Sequence, residues 1–165
     1  MTLVEMAVSV LLLGIVLFLL AGLARTTRQR AKKQLTCRLL CSLDTALGAY
    51  VDRYKAPPPG VPDGSADRAI AALLAYGASS AELDGLPGVL RTTKGEVKTL
   101  VDPWGTPLRY VTGEHESPAM RDRVATNGGR PLFDSAGPDR RFGPTEDRPD
   151  GSDIWGDECL LEPKR

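Results

Sequence analysis

The sequence predicts an α+β protein. One long N-terminal α-helix, apolar in its first half and amphipathic in its second, packs on a small globular head with a second helix and a short antiparallel β-sheet. Three observations carry that expectation. Residues 6–24 are apolar and uncharged. An apolar stripe at spacings of three and four follows, ending before Pro57-Pro58-Pro59. Beyond the prolines, short β-like runs alternate with turn-forming Gly, Pro and Asp. The expected division is 1–24 for a membrane-spanning helix, 25–56 for an amphipathic stem and 57–165 for the head, which closes in an acidic loop.

As a helix, the first run measures about 29 Å, close to the roughly 30 Å of a bilayer's hydrocarbon core. Glu5 stands at its start among Leu3, Val4, Met6, Ala7 and Val8. An ionisable group in such a place is costly unless paired, and marks function. The chain's own ammonium, on Met1, sits at the same helix end. The ammonium of a neighbouring copy, offset by about one helical turn, pairs better, so Met1 and Glu5 read as an assembly pair. A signal peptide carries basic residues before its apolar stretch and a small-residue cleavage site after it. Here an acid precedes the run and Arg25-Thr26-Thr27-Arg28 follows it. A plain single-pass anchor accommodates the run but gives Glu5 no purpose.

The stem is read from Ala31, Leu35, Leu39, Leu43, Ala46, Leu47 and Tyr50, one stripe on an otherwise polar helix. Proline ends any helix by removing a donor and clashing with the preceding turn. One helix from the N-terminus to Lys55 would be roughly 80 Å long. Next, Ser65 is placed to cap a helix over 66–76, with Asp67 in its first turn and Gly77 as its stop. Its Ala69, Ile70, Leu73, Leu74 and Ala75 read as core against the stem. Residues 78–99, with Gly85, Pro87, Gly88 and Gly95, read as loop with at most short regular pieces.

Asp102-Pro103-Trp104-Gly105 is turn chemistry: Asp accepts local backbone bonds, Pro fixes φ and Gly permits positive φ. Trp104 is expected to plug the core of the head. Residues 108–111 alternate as a strand, and 131–135 form another short one. The chain then enters Gly/Pro-rich sequence that carries Asp139, Asp150 and Asp153. Calcium takes six to eight oxygen ligands on such bent loops, although the spacing is not that of an EF-hand. Without a cation these acids repel one another, or they form a solvated tail.

Net charge is zero, so no global field points to nucleic acid. Charge is nonetheless segregated. Residues 25–38 hold six basic side chains and no acid, whereas 146–158 hold six acids against Arg148. These are either two solvated runs or complementary patches that set register between copies. Positive residues beside a span usually stay cytoplasmic, so the basic run opposes a topology with the head outside. Of the three cysteines, Cys37 and Cys41 share a helical face, where a mutual disulfide is strained. Small buried hydrophobes are the preferred reading for both. Cys159 is free, or pairs with one of them or with another chain in an oxidising compartment. Zinc evidence is weak. The one histidine, His115, lies in a polar loop and is expected to be exposed. Neither a catalytic triad nor a phosphate-binding glycine loop is present in the sequence, so no enzyme is expected.

Several of these stretches carry a family resemblance. Thr2-Leu3-Val4-Glu5-Met6 and the following apolar residues, with Gly14, resemble the mature N-terminus of type IV pilins and type II secretion pseudopilins. The stretch from Leu43 to Asp52 is similar to the stem of that family. Asp102-Pro103-Trp104-Gly105-Thr106-Pro107-Leu108-Arg109-Tyr110 is very close to the Asp-Pro-Trp-Gly-x-Pro-x-x-Tyr signature of the major pseudopilin. Ser135-Ala136-Gly137-Pro138-Asp139, then Phe142-Gly143 and Asp150-Gly151-Ser152-Asp153-Ile154, is similar to its calcium loop.

The resemblance implies a pilin-like fold in which the first helix is also the filament core. It implies a prepilin peptidase that removes a short basic leader ending in Gly and N-methylates the new first residue. It also implies assembly through Glu5, and Ca2+ held by Asp139 and Asp153, with carbonyls of Ala136 and Phe142 and contributions from Asp150 or Ser152. The implied function is a periplasmic pseudopilus subunit that polymerises to drive protein export. The alternative is a type IV pilin or minor pilin acting as a membrane-anchored adhesion or substrate-binding module. The implied partners are copies of itself, the bacterial inner membrane, the peptidase, a platform protein and minor pseudopilins, with the head in the periplasm. The sequence departs from the family at Met1, where Phe is usual, and in lacking the leader. A late-assigned start or an already processed chain is expected to account for that. Gly22 stands where a proline is frequent, and residues 144–149 are inserted in the calcium loop.

Overall fold

The computed structural model describes residues 3–61, 64–77, 83, 85–87, 91–94, 97–142, 154, 155 and 159, with backbone alone at 3–5, 9, 91–94, 97, 98 and 155. The architecture is α+β, with a long N-terminal helix and small antiparallel sheets. Helix α1 covers Leu3–Tyr54. The chain divides into two compact units, Met1–Lys32 and Lys33–Arg165.

In the first unit, α1 is exposed all round from Met6 to Ala31, among the described side chains. Its described large apolar side chains are exposed, Phe18 at 79%. Just past the apolar run, Thr26 and Thr27 turn their hydroxyls back onto the helix. Each donates to the Leu23 carbonyl at 2.9 Å.

In the second unit, α1 supplies one wall of the core. Leu39, Leu40, Leu43 and Ala46 are fully buried and Leu47 nearly so, as the three-and-four spacing requires. They pack in one cluster with Ala69, Ile70 and Leu73 of helix α2 (Asp67–Ala75) and with Trp104, Leu108, Tyr110 and Phe133. Each buried leucine of this kind contributes about 2 kcal/mol by removal of apolar area from water. The helix stops three residues before Pro57, where Lys55 takes φ 56° and still donates its amide to Val51 O at 2.8 Å.

Helix α2 starts later than expected. Its N-cap is Ala66, without a side-chain cap, rather than Ser65. Ser65 instead makes an antiparallel bridge with Arg109, while Gly64 O accepts the Tyr110 amide at 2.8 Å. Pairing beside the sheet fixes the backbone there, so Ser65 serves as a strand-like residue. Its hydroxyl meets the Asp67 amide only at 3.5 Å. Tyr76 is the C-cap, one residue before Gly77.

Strands β1 (Arg91–Lys94) and β2 (Val97–Leu100) form an antiparallel hairpin in register Arg91↔Leu100, the short regular piece of the 78–99 stretch. The second sheet has the order β3-β4-β5, all antiparallel, from Arg109–Val111, Leu132–Ser135 and Ile154–Trp155. Helix α3 (Pro118–Thr126), absent from the sequence expectation, packs Met120 and Val124 on Val111 and Leu132. A single-turn 3-10 helix, Gly137–Asp139, follows β4.

Two expectations are corrected. His115 is buried, because the turn after β3 folds over Gly64; its Nδ1 accepts the Ser117 amide at 3.1 Å. An added Cβ at Gly64 would lie 3.0 Å from His115 Nε2. Cys37, rather than being a free buried thiol, forms a disulfide with Cys159, one of the pairings left open for Cys159, 122 positions away and with Cα atoms 5.2 Å apart. Cys41 is a free, exposed thiol rather than a buried hydrophobe. The apolar stripe faces the core through Leu39, Leu43 and Leu47, and Cys41 falls off it.

Candidate functional site

The residues singled out by the sequence fall into three places. The first is the start of α1. Glu5 belongs to this helix, but its side chain, like all of Met1, lies outside the described residues. From Met6 to Leu23 the large apolar side chains are at least 49% exposed. A continuous apolar surface of this extent needs lipid or another chain to cover it. Among the described residues, one helix near the N-terminus is long and apolar enough to cross a membrane. Gly14 and Gly22 leave open space where a Cβ would be.

The second is the Asp102-Pro103-Trp104-Gly105 turn, which closes as its residue types demand. Asp102 Oδ1 accepts the amides of Trp104 at 3.0 Å and Thr106 at 2.8 Å. The Asp102 amide donates to Thr106 O at 2.8 Å, and its carbonyl accepts from Gly105 at 2.9 Å. Gly105 takes φ +87°, open to glycine at no steric cost. Pro103 is trans, in keeping with the absence of cis peptides among the described residues. Trp104 is buried in the core, as expected for a plug.

Asp102 also does something that the turn does not require. Its Oδ2 accepts the Ser135 hydroxyl at 2.9 Å, and Ser135 Oγ in turn accepts the Gly137 amide at 3.2 Å. Three buried residues therefore join the turn to the end of β4, where the expected calcium loop begins. Nothing local in either motif signals this link.

The third place is that loop. Ala136 is fully buried, and Asp139 is exposed with Oδ1 accepting the Arg141 amide at 3.1 Å. Phe142 is half-buried beneath the Arg109 guanidinium, 4.4 Å from its ring centre. Asp150, Ser152 and Asp153 lie outside the described residues. Among those described, no group of three His, Cys, Asp or Glu side chains is placed to hold a metal. Asp139 offers the hard oxygen that calcium prefers, but the exposed Arg140 and Arg141 stand next to it in the chain.

A buried ion pair was not legible. Arg109 and Asp134 face each other across β3 and β4. Arg109 Nε donates to Asp134 Oδ2 at 3.0 Å, and Nη2 donates to the same oxygen. Asp134 is fully buried, and such a carboxylate is retained only when paired. Only the strand register could have revealed it. Tyr110, next along β3, is also fully buried and donates its hydroxyl to Pro58 O at 3.3 Å, tying the proline bend to the sheet. Burial, with a smaller contribution from Tyr50, raises its pKa well above the ordinary phenol value.

An open groove of about 300 Å³ lies beside this pair, lined in part by Ser65, Asp67, Thr99 and Phe142. Its polar groups are engaged with one another: Thr99 donates to Asp67 Oδ1 at 2.9 Å. No family model, curated protein or solved structure matches this chain.

Proposed function

We propose that this chain is a pilin-like filament subunit. Its N-terminal helix stands in a membrane until copies stack, and its head forms the outer layer of a periplasmic pseudopilus of the type II secretion kind. The observation that carries this reading is the start of α1. A carboxylate at Glu5 leads directly into a helix whose described large apolar side chains are exposed. In a bilayer the run is satisfied but the carboxylate is not. In a bundle of copies both are satisfied, because a neighbour's N-terminal ammonium neutralises Glu5 while neighbouring helices cover the leucines. An unpaired buried charge costs several kcal/mol (~3–5), which favours the stacked arrangement.

The head supports the reading through the turn at Asp102 and its link to Ser135. These lie in the two stretches whose residues resemble the major pseudopilin. In this reading Ca2+ braces the loop from Asp139 to Asp153, supplying a charge that holds its carboxylates together. The Cys37–Cys159 disulfide supports a head outside the cytoplasm, since such bonds persist in oxidising compartments.

The alternative is a type IV pilin or minor pilin serving as a membrane-anchored adhesion or substrate-binding module. It draws on a surface cluster of Tyr50, Tyr54 and Tyr76, whose ring centres lie 4.5–6.1 Å apart. Tyrosines combine apolar contact area with a polar tip, which suits recognition. Shearing cells and identifying the fibre protein tests both. A major subunit dominates the sheared fraction, a tip module is a trace component, and a chain found only in membranes refutes the filament.

A further inference from the structure

The basic residues that follow the apolar run remain unexplained by a filament core. Arg25, Arg28 and Arg30 are exposed on α1, with Lys32 half-buried a half-turn later. At 100° per residue Arg25, Arg28 and Lys32 fall within about 60° on one face and Arg30 points to the other side, so positive charge stands on both sides of the helix, as a collar. No carboxylate occurs in the sequence between Glu5 and Asp44. The three arginines therefore have no acid on their own helix within the one-turn reach of side-chain pairing.

The threonines between Arg25 and Arg28 are internally satisfied. Thr26 and Thr27 satisfy their hydroxyls on the Leu23 carbonyl, so they ask nothing of their surroundings. Polar threonines bonded in this way can sit at the edge of hydrocarbon, which leaves the guanidinium groups at headgroup height. Arginine stems reach several ångströms along the apolar surface while the charge stays in the polar layer.

Which leaflet this is follows from the disulfide. Basic flanks ordinarily keep their side of a span in the cytoplasm. Cys37 lies only twelve residues beyond Arg25, and its bond to Cys159 belongs in an oxidising compartment. The collar is thus on the outer side of the membrane, against the usual charge rule, and something there must favour it.

We propose that Arg25, Arg28 and Arg30 form a binding collar for anionic phospholipid headgroups in the outward-facing leaflet, holding the unassembled chain at a fixed depth. Phosphate oxygens accept from guanidinium in the bidentate geometry that arginine presents and lysine does not. The collar rests on the membrane-spanning reading of α1 and not on the filament.

The test uses the full chain in detergent, titrated with phosphatidylglycerol or phosphatidylcholine and followed by native mass spectrometry. One basic side chain near an anionic surface is worth about fivefold in binding. The wild-type chain should retain phosphatidylglycerol in clear preference. The triple variant R25Q/R28Q/R30Q should lose that preference by up to about a hundredfold at low salt, and the control R53Q/R68Q, at the end of α1 and on α2, should keep it. Equal retention of the two lipids by the wild type, or a preference that survives in the triple variant, overturns the collar. So does a triple variant whose only defect is weaker self-association, which would assign the arginines to an acidic surface of a second copy. Flotation with neutral vesicles separates the premises. A wild-type chain that fails to float overturns anchor and collar together, whereas one that floats without lipid preference overturns the collar alone.

Discussion

The carboxylate of Asp102 accepts the hydroxyl of Ser135 at 2.9 Å, although 33 positions separate them in sequence. The other carboxylate oxygen holds two amides of the Asp102 turn. One buried side chain thus closes a turn and fastens it to β4.

Replacing Asp102 by Ala leaves the Trp104 and Thr106 amides and the Ser135 hydroxyl without their acceptor. Hydrogen bonds to a charged group are worth roughly 1.5–3 kcal/mol each and are not additive. The expected loss is about 3 kcal/mol, read as a fall of roughly 10 °C in the melting midpoint of the full chain in detergent. Ser135→Ala should cost less, about 1 kcal/mol, because the turn itself stays closed. Equal losses from the two would show that the turn contributes nothing of its own.

Tyr110 predicts an alkaline limit. Its folded pKa is raised by burial, so the folded state keeps the proton that the unfolded state gives up. The resulting stability is fully present below the unfolded phenol pKa of about 10, and is lost as pH rises through the folded value. Stability of the wild type should therefore decline above pH ~10 more steeply than that of Tyr110→Phe. At pH 7 the Phe variant should be weaker by only about 1 kcal/mol, since it loses one hydrogen bond to Pro58 and no packing. Parallel pH profiles would contradict the assignment.

The disulfide predicts a thiol count. Without reductant, a maleimide should label one cysteine per folded chain, Cys41, and after reduction and unfolding all three. A bond closing a loop of about this size stabilises by roughly 2–5 kcal/mol, so Cys37→Ser should unfold well below the wild type. Cys41→Ser should be neutral. Labelling at Cys159 without reductant would exclude the bond.

Calcium is tested by chelation. If the ion braces the loop, adding chelator lowers the melting midpoint and excess calcium restores it, since a ligand bound only to the folded state stabilises by mass action. Asp139→Ala should abolish both responses. An unchanged midpoint removes the ion.

How much of this the sequence carried depends on whether a signal was local. The apolar run, the Asp102 turn and strands β3 and β4 declare themselves within ten or twenty residues, by composition or period 2. Helix α3 is not legible in the sequence because PAMRDRVAT buries only Met120 and Val124 and presents no clear stripe. Pro118 at its first turn, preceded by Ser117, was the available clue. The Cys37–Cys159 bond, the Arg109–Asp134 pair and the Ser135–Asp102 link join residues that only the fold brings together. His115 reads as solvated because its neighbours in sequence are polar, whereas Gly64, its neighbour in space, is far from it in the chain.

The central claim is that Glu5 serves assembly rather than anchoring, and Glu5→Ala in the full chain tests it most directly. Membrane fractionation and sheared-fibre yield are measured side by side. The account predicts normal membrane insertion with a loss of fibre incorporation of at least tenfold, equivalent to about 1.4 kcal/mol or more. Fibre yield equal to wild type from the Ala variant would contradict it.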